Sequence, residues 1–92
     1  MQDIVKINQN DNVAVALRPL NEGETLDVAG EKVTLVQDIP LGHKFALRAI
    51  AQGEEVVKYG FRIGYAKEAI EKGAVAKFYI LQHPLYTRVW FS

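Results

Sequence analysis

Four glycines interrupt this chain in the same local pattern, and that pattern limits the folds open to it. Each glycine stands three positions after an aliphatic residue, and another apolar residue follows within three positions. Such a glycine supplies a turn with positive φ, which the aliphatic residue anchors and after which a strand begins. The spacing between the glycines is irregular, so the pattern does not indicate a solenoid. It predicts a compact, loop-rich β fold, and the four pairs are Leu20/Gly23, Ile39/Gly42, Ile50/Gly53 and Ile70/Gly73.

The segments between the glycines have the patterns of short strands. The first segment is a mostly apolar run, which is typical of a strand buried on both faces. The next two alternate in hydrophobicity on either side of Ala29-Gly30-Glu31 and predict a β-hairpin. The expected strands span residues 12–17, 25–28, 32–36, 45–47 and 55–59.

Residues 65–72 are the best candidate for a helix, with Gly73 in the position of a C-cap. The segment is about two turns long, and a turn fits it equally well. The sequence therefore predicts a mainly-β domain with at most one short helix.

The composition excludes several classes of function. Eleven Lys and Arg residues balance eleven Asp and Glu residues over 92 positions, whereas nucleic-acid and membrane-surface binders need a positive excess. The absence of cysteine excludes disulfides, thiolate–zinc sites and cysteine nucleophiles. No apolar run approaches the roughly 18 residues of a membrane span, and Met1-Gln2-Asp3-Ile4 lacks the layout of a secretory signal. The sequence predicts one small soluble domain in the cytoplasm, with neither nucleic acid nor membrane as a partner.

Two turns that carry cations are the strongest candidates for chemistry. His43 and Lys44 put an imidazole and an ammonium side by side, where they could bind a carboxylate or act as acid and base. Lys58 and Tyr59 place a second cation and a phenol at a strand end, where an anionic sugar acid could bind. The alternatives are a solvated turn in the first case and a lysine that protects a strand edge in the second.

Four strings in order along the chain resemble the amino-terminal domain of the altronate dehydratase family. This family includes galactarate dehydratases and the small subunits of sulfolactate sulfo-lyases, and its domain belongs to the wider SAF group. The resemblance extends from near Asp3 to Gly73, and the Gly-His-Lys and Lys-Tyr-Gly motifs are specific in combination. It implies a small single-domain β-clip (SAF-like) fold with short strands. The four strings are residues 11–17, 37–47, 57–60 and 63–66.

The resemblance also implies a part in removing water from a sugar acid such as altronate, with the help of Fe²⁺ or Mn²⁺. In the family most of the catalytic machinery lies in a much larger catalytic domain or partner subunit, so the metal is not expected to be held by this chain alone. A stand-alone SAF-type module that binds a carbohydrate or a protein without catalysis is the alternative. Carried over by position, the implied residues are His43 and Lys44 for catalysis, and Lys58, Tyr59, Asp11 and Asn12 for substrate binding.

The sequence departs from the family pattern after Gly73. Where the family continues with histidines, this chain reads Ala-Val-Ala-Lys-Phe, so residues 1–73 are expected to form the SAF-like domain and residues 74–92 an apolar tail. Five of the nine aromatic residues lie in the last fifteen positions, and only two of the twenty-two charged residues follow Gly73. Either a buried terminal strand or an altered reading frame would give this loss of charge. Such a tail needs burial, on its own sheet or against a second copy. The sequence favours the second copy and predicts a homo-oligomer, most simply a dimer, held by residues after Gly73.

Overall fold

The structure is a computed structural model that describes residues 4–5, 8–80 and 90–91. All regular structure within these residues is β-strand, which confirms the mainly-β expectation. They contain no helix, and therefore none that is long and apolar enough to cross a membrane. The nine strands of this part of the chain are β1 (Ile4–Val5), β2 (Val13–Ala16), β3 (Thr25–Val28), β4 (Glu31–Thr34), β5 (Lys44–Ala46), β6 (Glu55–Lys58), β7 (Phe61–Ala66), β8 (Phe78–Ile80) and β9 (Trp90–Phe91).

The strands form three antiparallel sheets. One has the order β1–β2–β5, the second is the β3–β4 hairpin, and the third has the order β6–β7–β8–β9. Strands β2 to β6 are the five expected from the sequence, with ends that differ by at most two residues. The apolar run that forms β2 is buried at three of its four positions, as a strand between two packed layers should be.

Residues 65–72 do not form the candidate helix, and the alternative of a turn agrees better with the bend at residues 67–68 and the turn at residues 72–73. Strand β7 continues through Ala66, and its last residues pair with β8, including Tyr65 with Tyr79 and Ala66 with Phe78. Ile70 then forms a β-bridge with Ile50. A two-turn helix is marginal by itself, so the ladder with β8 and this bridge override the local helical pattern.

The four aliphatic residues of the glycine pattern meet in two pairs. Leu20 bridges Ile39 and Ile50 bridges Ile70, each pair through two reciprocal backbone hydrogen bonds of 2.7–2.9 Å. All four side chains are at most 6 % exposed. The expectation that a buried aliphatic residue anchors each turn is therefore confirmed, and the anchors also hold one turn to another.

The glycine of each pattern has the positive φ that its turn requires, between 80° and 89°. Each glycine N–H also donates a hydrogen bond of 2.8–2.9 Å to a carbonyl of another element. The acceptors are the carbonyls of Leu35 for Gly23, Ala16 for Gly42, Ala66 for Gly53 and Ala46 for Gly73.

The chain contains an internal duplication with an offset of thirty positions, which the irregular glycine spacing conceals. Arg18 and Arg48 begin the two copies of an Arg-x-aliphatic-x-x-Gly-Glu string. In both copies the arginine forms an ion pair with the glutamate, at 2.7 Å to Glu24 and 3.8 Å to Glu54. Each glutamate also accepts a backbone N–H three residues before it. The two bridges described above are thus equivalent features of two related halves.

The hairpins β3–β4 and β6–β7 are equivalent parts of these halves. Both close through a two-residue turn in which both residues have positive φ: Ala29 and Gly30 at 53° and 89°, and Tyr59 and Gly60 at 56° and 78°. This is the turn whose twist matches a two-residue β-hairpin. In the second hairpin the register shifts by one residue at Val56, which changes the offset between the halves from thirty to thirty-one.

Two hydrophobic clusters fill the domain, one for each half, and β2 and β5 contribute to both. The shared strands alternate, so that Ala14 and Phe45 pack in the first cluster while Val13 and Ala46 pack in the second. The remaining buried members of the first cluster are Ala16, Leu20, Leu26, Val28, Val33, Leu35, Ile39 and Leu47. Those of the second are Ile50, Val56, Ala66, Ile70, Ala76 and Phe78.

The start of the apolar tail packs on its own domain. Strand β8 extends the sheet next to β7, and Phe78 is 1 % exposed in the second cluster. This is the first of the two arrangements that the sequence allowed. Residues 81–89 lie outside the described residues, so the dimer and the domain boundary at residue 73 stay predictions.

Gly42 and Gly73 occupy equivalent turns, with φ of 84° and 85°, and differ in their surroundings. A Cβ at Gly42 would meet nothing within 4 Å, whereas one at Gly73 would overlap the carbonyl oxygen of Thr34. We expect G42A to lower the free energy of unfolding by about 1–2 kcal/mol, the cost of a left-handed backbone at a residue with a side chain. G73A should cost about 1–3 kcal/mol more because backbone must move. Urea unfolding measures both variants, and equal losses would contradict this account of the turns.

Candidate functional site

Three of the side chains singled out from the sequence form one cluster, hereafter the cation cluster: Lys44, Lys58 and Tyr59. Lys44 is the first residue of β5, Lys58 is the last of β6, and Tyr59 begins the turn that follows. The two strands belong to different sheets. The fold therefore brings together two motifs that lie fourteen residues apart in the sequence.

Lys44 is half-buried, and its Nζ lies 5.9 Å from the centre of the Phe78 ring. Burial lowers the pKa of Lys44 from its ordinary value, because the charged form loses hydration. The neighbouring Lys58 ammonium lowers this pKa further, and Tyr59 acts in the opposite direction. The two ammonium groups are thus close enough to repel each other.

Lys58 is held against an aromatic ring. Its Nζ lies 3.6 Å from the centre of the Tyr59 ring, a cation–π contact that fixes the lysine head beside the turn. Tyr59 is 43 % exposed, so the contact is open to solvent on one side. The positive φ of Tyr59 is a property of the turn type, since Ala29 has it in the equivalent hairpin.

No carboxylate within residues 4–5, 8–80 and 90–91 forms an ion pair with Lys44 or Lys58. By contrast, Arg18, Lys32, Arg48 and Arg62 each pair with a glutamate or an aspartate. Two adjacent ammonium groups without a counter-charge attract an anion, and a carboxylate that accepts hydrogen bonds from both would relieve their repulsion.

Asp11 and Asn12 contact the backbone of the hairpin that carries Lys58 and Tyr59, and they are almost fully buried, at 2 % and 0 % exposed. One Asp11 oxygen accepts the N–H of Gly60 at 2.8 Å. The Asn12 amide accepts the N–H of Val57 and donates to the carbonyl of Glu55, both at 2.8 Å. In this structure both residues hold the second hairpin in place, and direct contact with a substrate stays a prediction for each.

His43 directly precedes Lys44 and is half-buried. Its backbone fixes the turn: its N–H donates to the carbonyl of Pro40 and its carbonyl accepts the N–H of Ala16, both at 3.0 Å. The groups that act on the pKa of Lys44 are Lys58 and Tyr59. The structure thus joins Lys44 to the second motif, and the catalytic role of His43 stays a prediction.

Sequence reasoning missed two aromatic residues of this region. Phe61 is 72 % exposed at the tip of the second hairpin, where its partner across the turn is Lys58. Phe78 is buried and lies under Lys44. A two-residue turn at Tyr59-Gly60 was the signal for Phe61, because it places residues 58 and 61 opposite each other. No local signal pointed to Phe78, which comes from the tail.

A shallow cavity of about 260 Å³ lies elsewhere on the domain. Its lining contains none of the six residues singled out from the sequence, and its polar side chains are those of Gln37, Glu68, Glu71 and Lys77. The three charged side chains are exposed, and Gln37 accepts the backbone N–H of Val75 at 3.1 Å. This cavity has the features of a solvated turn region, so the cation cluster remains the candidate site.

Within the described part of the chain, no three His, Asp or Glu side chains gather in a way that could hold a metal ion. The residues of the cation cluster are themselves poor ligands, because two of the three carry ammonium groups. They do not fit a Fe²⁺ or Mn²⁺ ion.

Comparison with known proteins identifies the family. The model of the altronate/galactarate dehydratase SAF domain matches residues 2–83. The chain belongs to this SAF-domain family. That result confirms the resemblance inferred from the four strings, and the SAF domain is the part of the family to which this chain corresponds.

The relatives of this SAF domain differ greatly in length. The altronate dehydratase of Escherichia coli (strain K12) is 54 % identical over 69 residues, which are 75 % of this chain and 14 % of that protein. The altronate dehydratase of Bacillus subtilis (strain 168) is 42 % identical over 79 % of this chain and 15 % of its own length. The alpha subunit of (2R)-sulfolactate sulfo-lyase from Paracoccus pantotrophus is 35 % identical over 72 % of this chain and 92 % of its own length. The chain thus spans about one seventh of the altronate dehydratases it matches.

The lowered pKa of Lys44 has a consequence for stability. Between that lowered pKa and its ordinary value of 10.5, the unfolded chain binds more protons than the folded one, so the stability of the wild type rises with pH in this window. K44M keeps the aliphatic stem and removes the charge. We therefore expect K44M to be more stable than the wild type at pH 7, and the difference to shrink as the pH approaches 10.5.

Urea unfolding at several pH values measures this difference. K72M, at an exposed turn position, is the control and should change stability little. A K44M protein that is less stable than the wild type at pH 7 would show that charged Lys44 is not destabilised by its surroundings.

Proposed function

We propose that this SAF domain is the substrate-binding part of an altronate-type sugar-acid dehydratase and that the cation cluster receives the carboxylate of the sugar acid. One observation carries the proposal: Lys44 and Lys58 are near enough for the charge of Lys58 to lower the pKa of Lys44, and within the described residues neither forms an ion pair with a carboxylate. Family membership supports the sugar acid as the anion, since similar proteins are altronate dehydratases.

Cations beside the carboxylate suit the chemistry of this dehydration. A base removes the proton from the carbon next to the carboxylate, and the electrons move onto the carboxylate group, which then carries additional negative charge. Ammonium groups that are already in place stabilise that charge more than they stabilise the ground state. The hydroxyl of the next carbon leaves with a proton as water, and the resulting enol becomes the 2-keto-3-deoxy acid. Lys44 and Lys58 would act at the first of these steps.

His43 is the proposed group for proton transfer. It directly precedes Lys44, so an acid whose carboxylate binds the cation cluster would present its neighbouring carbons close to this turn. An imidazole can both accept and donate a proton near neutral pH, as removal of the α-proton and departure of the hydroxyl require.

The larger catalytic part is proposed to contact the tip of the second hairpin. Tyr59 and Phe61 are 43 % and 72 % exposed there, and the equivalent positions of the first hairpin hold Ala29 and Glu31. Exposed aromatic residues are enriched where protein surfaces meet. The lengths of the relatives support a partner of this kind, because the matching region is one seventh of an altronate dehydratase and nearly all of a sulfo-lyase alpha subunit.

The Fe²⁺ or Mn²⁺ ion is assigned by this proposal to the larger part, since the described residues of this chain offer no suitable set of ligands. The cysteine-free composition and the metabolic relatives support a cytoplasmic enzyme. Association of two copies through residues after Gly73 remains part of the proposal.

A chimera tests the function directly. The 69 matched residues of the E. coli altronate dehydratase are replaced by the matched segment of this chain, and formation of the 2-keto-3-deoxy acid from D-altronate is followed by its semicarbazone absorbance. We expect the chimera to be active. K44M and K58M should each lower its kcat/KM by about tenfold or more, because a hydrogen bond to a charged group is lost.

K72M in the same chimera is the matched control and should leave kcat/KM unchanged, since this lysine lies on an exposed turn outside the cation cluster. Full activity in a K44M/K58M chimera would overturn the proposed role of the cluster. A chimera that binds D-altronate and does not convert it would favour the stand-alone binding module instead.

A further inference from the structure

In each of the two equivalent hairpins, the N–H of the turn glycine donates a hydrogen bond to an aspartate oxygen. The two aspartates come from different places in the chain. In the first hairpin the N–H of Gly30 donates to an Asp27 oxygen at 2.8 Å, so the carboxylate belongs to the hairpin's own strand. In the second hairpin position 57, thirty residues later, is Val57. There the N–H of Gly60 donates to an Asp11 oxygen, also at 2.8 Å, from a residue 49 positions earlier in the chain.

Asp11 is itself tightly held. It is 2 % exposed, its second oxygen accepts the N–H of Asn8 at 3.4 Å, and its own N–H donates to the carbonyl of Asn8 at 3.0 Å. The Asn8 side chain also covers the turn, because a Cβ built on Gly60 would lie 2.8 Å from its Nδ2. The segment from Asn8 to Asp11 therefore holds Gly60 through the Asp11 carboxylate and lies against it through the Asn8 side chain.

The anchoring of Gly60 by this segment bears on the position of the cation cluster. Gly60 follows Tyr59 and Lys58, and its anchoring fixes the turn that presents them. Asn12, the next residue after Asp11, binds Val57 through both its backbone and its side chain. Strand β2 then pairs with β5, on which Lys44 lies. The path from Gly60 to Lys44 thus passes through Asp11, Asn12 and β2.

We propose that Asp11 is a positioning residue of the cation cluster: its buried carboxylate holds the Gly60 turn so that Lys58 and Tyr59 remain beside Lys44. In this role Asp11 acts through the turn, by accepting the N–H of Gly60. In the first hairpin the carboxylate belongs to the hairpin itself, so within the described residues the equivalent bond does not join the turn to another element. The consequence of this role for catalysis rests on the proposed function, whereas the effect of Asp11 on the position of Lys58 and Tyr59 does not.

The test uses the whole 92-residue chain without any ligand. D11A removes the acceptor, and hydrogen exchange at the Gly60 amide should accelerate about tenfold or more relative to the wild type. Lys44, titrated by NMR at its Cε, should show a pKa that moves up towards the ordinary lysine value, because Lys58 is released and Lys44 is better hydrated. Removal of a negative charge alone would move the pKa of Lys44 down. The sign therefore separates positioning from simple electrostatics.

Two further variants serve as controls. D27A deletes the equivalent bond of the first hairpin and should accelerate exchange at Gly30 while leaving the titration of Lys44 unchanged. D11A/V57D moves the carboxylate to the position that Asp27 holds in the first hairpin, opposite Arg62 as Asp27 is opposite Lys32. This double variant should restore protection at Gly60 and the wild-type pKa of Lys44. If D11A alone does not fold, the double variant still tests whether a carboxylate at this turn restores the protection of Gly60.

The proposal is overturned if D11A folds with unchanged exchange at Gly60 and an unchanged or lowered pKa of Lys44. It is also overturned if D27A moves the titration of Lys44 as far as D11A does, or if D11A/V57D leaves Gly60 unprotected. None of these measurements involves a sugar acid. Failure of the chimera to turn over D-altronate would therefore count against the proposed function and not against the role of Asp11.

Discussion

The backbone bridges between paired aliphatic residues are the constraint on which this small domain depends. A chain of 92 residues without a cysteine, and without a helix in its described part, has few ways to hold short strands in register. The Leu20–Ile39 and Ile50–Ile70 bridges combine buried side chains with reciprocal backbone hydrogen bonds, and they fix four turns in two pairs. Removing one anchor would loosen two turns and the strands that begin from them.

Duplication explains how the same frame produces one structural half and one half that carries a site. The first hairpin has small or charged residues at its tip, and its turn is held by its own Asp27. The second has Lys58, Tyr59 and an exposed Phe61 around its tip, and its turn is held from outside by Asp11. Equivalent backbones therefore carry different surfaces. The positive φ values occur in both hairpins and belong to the turn, whereas Lys58, Tyr59 and Phe61 occur only in the second hairpin.

Much of the fold follows from the sequence because turns and strands are local features. The glycine pattern predicted the anchored turns, and five strands lay where alternating or apolar runs indicated them. The helix candidate at residues 65–72 was not confirmed, because the pairing of Tyr65 with Tyr79 is a long-range contact that local periodicity does not contain. That Lys44 lies near Lys58 could be expected only from the need of one anionic substrate for convergent donors, because no local pattern contains a contact between two sheets. Asp11 carried no signal of its role, because a buried acceptor and a turn residue look alike in a sequence.

Binding of a carboxylate by the cation cluster can be followed by titration of the lysine Cε resonances. D-altronate is added to the chain, and altritol, which lacks the carboxylate, is added to a parallel sample. We expect the Lys44 and Lys58 resonances to shift with D-altronate and to stay in place with altritol, while the Lys72 resonance moves with neither compound. Equal shifts with both compounds, or shifts of Lys72 without those of Lys44 and Lys58, would contradict this expectation.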